Sequence, residues 1–214
     1  MPVTTRGSLL SLMGCGGSGG GASPPPPPPP TVYLQADLQD QTGSLATYTC
    51  QTGGPFTLDA GAWLTTIGLG ARDPGGADGD TAHADAGHGD YTMHTNIVCN
   101  NAAGDQVAGI IFRFTDTTHY WLLHAVCTTG LVTVFRNNGG FVSVASISTT
   151  VPPNTPVSVV VRCSGSTIDC TYNGIALPTV TDSFNASATI VGLRLGFVSG
   201  IAAHAVWDHL LVIP

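Results

Sequence analysis

The chain is 214 residues long, carries a net charge of −7, and only 9% of its residues are charged, against about 25% in ordinary soluble domains. It contains no Glu and no Lys, which removes every mechanism built on a Glu acid or base or on a Lys Schiff base. Its six Arg are scattered and form no basic stripe, which argues against nucleic acid and anionic membranes as partners.

Residues 1–30 read as an N-terminal anchor and linker, and 31–214 as a single domain. The tail opens on a short apolar run containing Leu9, Leu10 and Leu12, continues through Gly14-Cys15 and a Gly/Ser stretch, and ends on seven prolines, Pro24 to Pro30. Gly/Ser chain is flexible, whereas consecutive prolines form a stiff rod of about 3.1 Å per residue. Leu9, Leu10, Leu12 and Cys15 are therefore the anchor candidates. Leu12-Met13-Gly14-Cys15 resembles a bacterial lipoprotein processing site, in which Cys15 would be acylated. The apolar run is shorter than the about 7–15 residues of an export signal, and Arg6 is its only positive charge. An uncleaved tail seized by a larger particle is the other reading.

Beyond the prolines, the strongest helix formers among charged residues, Glu and Lys, are missing, and Val, Ile, Thr, Phe and Tyr alternate in short runs cut by Gly, Pro, Asn and Asp. The pattern predicts strands at Val32–Leu38, Tyr48–Gln51, Ala62–Thr66, Tyr91–Cys99, Gln106–Thr115 and His119–Cys127. Further strands follow at Leu131–Arg136, Phe141–Ile147, Pro156–Cys163, Thr167–Tyr172, Ile190–Ser199 and Ala203–Ile213. Turn signals separate them, among them Asn100 to Gly104, Asp116-Thr117-Thr118, Ser164-Gly165, Asn173-Gly174 and Ser199-Gly200. No segment repeats with the period of a solenoid or propeller, so a sandwich or barrel is expected. Parity around the Asp116-Thr117 turn puts Ile110, Phe112, Trp121 and Leu123 on one face, and Arg113, Tyr120, Leu122 and His124 on the other. The first set is core, and the second is apolar enough to need a cover of its own. Trp63, Trp121 and Trp207 are expected in the core.

The stretch from Asp73 to Asp90 is the densest in polar residues. Carboxylates on a Gly-rich loop suit Ca²⁺, and Asp78, Asp80 and Asp85 are the candidate ligands, although no calcium-loop motif is met. Ordinary turn chemistry accounts for the same residues with no cofactor at all. His83 and His88 would suit a transition metal, while His94 and His124, inside strands, read as structural. Of six cysteines, most read as buried free thiols, with Cys163 and Cys170, flanking a tight turn, the best disulfide pair.

The order of motifs, Ala108 to Asp116 followed by His119 to Leu123, then Val157 to Arg162, Ser164 to Ile168, Tyr172-Asn173-Gly174, Val191 to Arg194 and Ala205 to Asp208, resembles the concanavalin A-like, laminin-G-like jelly roll. That resemblance runs from about Val32 to Pro214. It implies an all-β, antiparallel two-sheet sandwich and carbohydrate contact at a sheet face or loop rim, as in lectins and domains of phage appendages. Glucanases of this fold use Glu and Asp in alternation on one strand, and this chain has no Glu and no such Asp pair. No enzyme is therefore expected, with an Asp-dependent glycoside hydrolase as a distant alternative. Glycan contact needs an aromatic plate and a few polar groups. Tyr91, Asn96, Arg113, Tyr120, Asn137 and Asn138 are the candidates, with Phe141 and Tyr172 as further aromatics. The expected role is a surface or appendage module of a virion, in repeated copies such as trimers, whose tail meets other virion proteins and whose domain meets cell-surface glycans. A secreted or lipid-anchored bacterial carbohydrate-binding protein is the alternative. No membrane span is expected.

Overall fold

The computed structural model describes residues 25–74, 78–99, 106–197 and 205–214. The anchor candidates Leu9, Leu10, Leu12 and Cys15 and the expected turns at Asn100 to Gly104 and Ser199-Gly200 lie outside them. The strands are β1 (Leu34–Ala36), β2 (Gly43–Ser44), β3 (Thr57–Leu58), β4 (Leu64–Thr66), β5 (Gly70–Arg72), β6 (Thr81–Asp85), β7 (Tyr91–Cys99), β8 (Gln106–Asp116) and β9 (His119–Val126). They continue as β10 (Leu131–Asn138), β11 (Phe141–Ser148), β12 (Pro156–Ser164), β13 (Thr167–Tyr172), β14 (Ile175–Ala176), β15 (Val180–Thr181), β16 (Ile190–Phe197) and β17 (Ala205–Ile213).

They form two antiparallel sheets. One has ten strands with the path β14-β13-β12-β7-β17-β5-β4-β2, β1 adding to β17 and β15 to β13. The other has seven, in the order β11-β10-β9-β8-β16-β6-β3. This is the expected jelly-roll sandwich. Alternation decides which side chains fill the space between the sheets, since successive residues of a strand face opposite ways. On β7 the buried positions are Tyr91, Met93, Thr95, Ile97 and Cys99, with the residues between them only half-buried. Trp63, Trp121 and Trp207 are all fully buried, as the sequence requires. Trp207 donates its indole N–H to the Gly109 carbonyl of the other sheet at 3.1 Å, and Trp121 donates to the Phe184 carbonyl at 2.9 Å, so neither ring buries an unpaired donor.

Four expectations are corrected. Tyr48–Gln51 is not a strand. A 3-10 turn over Leu45–Thr47, capped by the Ser44 hydroxyl, precedes it, and the Tyr48 hydroxyl donates to Asp40 Oδ1 at 2.8 Å instead of the segment joining a ladder. Within the polar stretch Asp73 to Asp90 runs a strand, β6, whose inward residues are Ala82 and Ala84. Two small side chains give too weak an apolar signal to reveal it. The face expected for Arg113 is wrong. The β8–β9 ladder is regular through Phe112↔Trp121, then a bulge intervenes before Asp116↔His119, and Arg113 stands in it with φ 48°. It is fully buried, donating to the Gly165 carbonyl. Finally, the disulfide joins Cys99 to Cys127, at a Cα separation of 5.9 Å, while Cys163 and Cys170 are free and buried. Cys163 pairs with Ile168 and Cys170 with Val161, so the two are diagonal neighbours. Diagonal positions lie about 7–8 Å apart, beyond disulfide reach.

The Cys99–Cys127 bridge fastens the end of β7 in one sheet to the end of β9 in the other across a separation of 28 residues. A loop of that size contributes about 3–4 kcal/mol by restricting the unfolded chain. Replacing both cysteines by Ala is expected to lower the unfolding free energy in urea by about that amount. Non-reducing peptide mapping is expected to find this bridge, with Cys163 and Cys170 alkylated only after denaturation.

Candidate functional site

The outer face of the seven-stranded sheet is built in rows by the strand register. One row runs Thr81–Arg194–Gly109–His124–Thr133, the next His83–Gly192–Ile111–Leu122–Phe135, and a third brings Tyr120, Asn137 and Phe141 together. Ile111, Phe114, Tyr120 and Leu122 form a second apolar cluster here, with Phe135 and Ile190 packed against it.

Two features turn this face into a trough. Arg194 on β16 and Phe141 on β11 are four strands apart, about 19 Å on a flat sheet. Yet the Arg194 guanidinium carbon lies 5.4 Å from the centre of the Phe141 ring, so the sheet curls inward. Gly109, between Arg194 and His124 in its row, lets Leu122, a wall of the trough, lie against its backbone. A Cβ there would sit 2.8 Å from a Leu122 methyl. The resulting cavity, about 190 Å³, is lined by Asp78, Leu122, His124, Phe135, Phe141 and Arg194.

Its walls are aromatic. Phe141 is 49% exposed and meets Tyr120 edge-on at 6.1 Å and Phe135 at 5.8 Å, and His124 stands edge-on to Phe135 at 5.5 Å. Its polar end is Arg194, only 7% exposed, with Nη2 3.3 Å from Asp78 Oδ1 and Nε buried without a hydrogen-bond partner. Burial, and then the Arg194 charge, push the His124 imidazole down to about 4, with Asp78 opposing them. At neutral pH the ring is therefore uncharged, offering one donor and one acceptor. The trough holds one donor-rich cation, one carboxylate, one neutral imidazole and three apolar surfaces.

Of the glycan candidates, Asn138 is exposed at the end of β10, one position off the trough's face, while Tyr120 and Asn137 are register partners on that face, beside Phe141. Both are nearly covered, and the Asn137 amide donates to the Thr117 carbonyl. Tyr91 is instead in the core, its hydroxyl accepting from the Arg113 amide at 3.1 Å, and Tyr172 is likewise buried. Arg113 is interior, and Asn96 lies on the far sheet opposite Asp208. Asp78, Asp80 and Asp85 do not converge. Asp78 pairs with Arg194, Asp80 is buried where its carbonyl accepts the Leu195 amide, and Asp85 ends β6, accepting from the Gly87 amide at 2.8 Å. Arg194 and Gly109 were missed. The readable signal was a lone cation between Leu193 and Leu195 in an apolar strand, and a glycine inside another.

No family model matches the chain, and no curated protein sequence does. Solved structures share the fold. The carbohydrate-binding module CBM66 from Bacillus subtilis is 19% identical at TM-score 0.59, covering 74% of this chain and 95% of that one. The GH43 protein BlXynB of Bacillus licheniformis is 17% identical at TM-score 0.63, covering 84% of this chain and 39% of that one. The exoplasmic/lumenal domain of VIP36, in a form bound to Ca²⁺ and Man3GlcNAc, is 9% identical at TM-score 0.55, covering 74% and 85%.

His124 supplies a pH test. A folded-state value below the ordinary 6.5 means the unfolded chain takes up this proton first, so its contribution is present above pH 6.5 and lost as pH falls toward about 4. Thermal denaturation between those limits is expected to show a steeper loss for the wild type than for His124→Gln. These likenesses and the two-layer topology together show the fold, an antiparallel two-sheet jelly-roll sandwich.

Proposed function

We propose that the chain is a non-catalytic glycan-binding module, that the trough receives the sugar, and that the N-terminal segment presents the domain on the surface of a virion. One observation carries the binding reading: an Arg194–Asp78 pair set against Phe141, Phe135 and His124 around a cavity of about 190 Å³. A sugar combines adjacent hydroxyls with an apolar C–H face. The guanidinium donates, the carboxylate accepts, the neutral imidazole does either, and the rings cover the C–H face. The carbohydrate-binding identity of the CBM66 structure and the glycan in the VIP36 structure support the same reading.

The lining supports the non-catalytic reading. Among the described residues it contains one carboxylate, Asp78, whereas glycoside hydrolysis ordinarily uses two at about 5–9.5 Å. Single-sugar contacts are weak, so repeated copies on one particle give useful avidity. The Cys99–Cys127 bridge favours an oxidising setting. That setting fits a virion surface, and equally the second reading, a secreted or lipid-anchored carbohydrate-binding protein. Acylated Cys15 in a mass spectrum of the mature chain would replace the first by the second.

The test of binding is a glycan array with the full chain. Phe141→Ala, Arg194→Met and Asp78→Asn are each expected to weaken the best signal about tenfold or more, the loss typical of a charged hydrogen bond or a stacked ring. A wild type silent on every glycan overturns the proposal.

A further inference from the structure

We infer that the bulge in β17 builds a site for a divalent transition-metal ion from Asp37, Asp208 and His209. Along a regular strand, adjacent side chains such as those of Asp208 and His209 point to opposite faces. Here the register shifts between Asp208 and Leu210, and the extra residue, His209, adopts φ 53°. A bulge of this kind re-aims a side chain. As a result His209 Nδ1 lies 3.1 Å from Asp208 Oδ1 and 3.2 Å from Asp37 Oδ1, and the three donor atoms fall within 4.8 Å of one another. Asp37 arrives from another part of the chain. It follows β1, whose last pair with β17, Ala36↔Leu210, sets its position beside the bulge.

The spacing fits coordination. Ligands about 2.1 Å from a common centre are about 3.4 Å apart at the tetrahedral angle and about 3.0 Å apart at right angles, and the two contacts of His209 Nδ1 fall between these. A second observation points the same way. Asp208 is only 9% exposed, and its Oδ1 is buried without a hydrogen-bond partner. A buried carboxylate oxygen whose nearest group is an imidazole nitrogen at 3.1 Å, without hydrogen-bond geometry, is poorly compensated, and a cation between it, Asp37 and the imidazole removes that cost. The other side of the set is open. His209 is solvent-exposed and lines, with Asp37, a cleft of about 210 Å³ that admits water to the remaining coordination positions.

The donors also choose the metal class. Ca²⁺ takes six to eight oxygen ligands, whereas one imidazole nitrogen with two carboxylates suits Zn²⁺ and its neighbours. The site belongs to the ten-stranded sheet and stands apart from the sugar trough. Its effect is to clamp β1, the first strand after the proline linker, onto the last strand of the domain.

The experiment uses the full chain stripped with EDTA. Titration with ZnCl₂ is expected to show one equivalent bound and the melting temperature raised by about 5 °C at a hundredfold excess over Kd, with CaCl₂ giving no comparable shift. Asp37→Ala and His209→Asn, the latter keeping a residue at ease with positive φ, are expected to fold and to lose both effects. Zn²⁺ that neither binds nor stabilises the wild type overturns the site and leaves an ion-pair triad. Uptake unchanged in both variants, or Ca²⁺ stabilising as well as Zn²⁺, overturns it equally.

Discussion

The contact on which both the core and the trough depend is the indole N–H of Trp207 meeting the carbonyl of Gly109 across the sandwich. The donor sits fully buried in the middle of the ten-stranded sheet, beside Trp63, whose ring centre is 5.2 Å away. The acceptor is in the middle of the seven-stranded one. A large ring reaching between layers needs its polar atom satisfied, and a carbonyl of the facing strand is the available partner. The same residue works on the other face, where its lack of a Cβ admits the Leu122 methyl that walls the trough. One position thus joins the sheets on the inside and seats a wall of the trough on the outside.

Two bulges alter what a plain ladder would have done. At Arg113 and His209 a non-glycine residue takes positive φ, a conformation that costs about 1–2 kcal/mol in a side chain with a Cβ. In each case the extra residue breaks the two-residue alternation and sends a cation or imidazole where strict pleating would not. Arg113 turns inward to the Gly165 turn, itself held by Asp90, whose carboxylate accepts the Gly165 amide at 2.8 Å. His209 turns toward Asp37 and Asp208. With so few charges in the chain, most described arginines sit against a specific acceptor or ring, as Arg136 does with Asp182 at 2.7 Å and Arg194 with Asp78.

The low charge also explains the surface. A sandwich wetted mainly by Ser, Thr, Asn and backbone has little long-range field of its own, so recognition rests on shape and short hydrogen bonds. Such recognition suits neutral, hydroxyl-rich ligands. The edge strand β11, with Phe141, Val142 and Val144 exposed and no charged residue along it, extends the apolar character of the trough to the rim of the sheet.

Composition and alternation by themselves determined the fold class, the long central strands, the tryptophan core and the two faces of the β8–β9 hairpin apart from Arg113, because side-chain parity is a local property of extended chain. Tyr91–Cys99 and Thr167–Tyr172 begin and end where their patterns do. What only the tertiary structure decided was everything that depends on distance between strands remote in sequence: Cys127 as the partner of Cys99, the meeting of Arg194 with Phe141, and the burial of Tyr91 and Arg113. Curl brings strands four apart into contact, and a single inserted residue reverses which face a side chain takes. Neither leaves a mark on the spacing of residues along one strand.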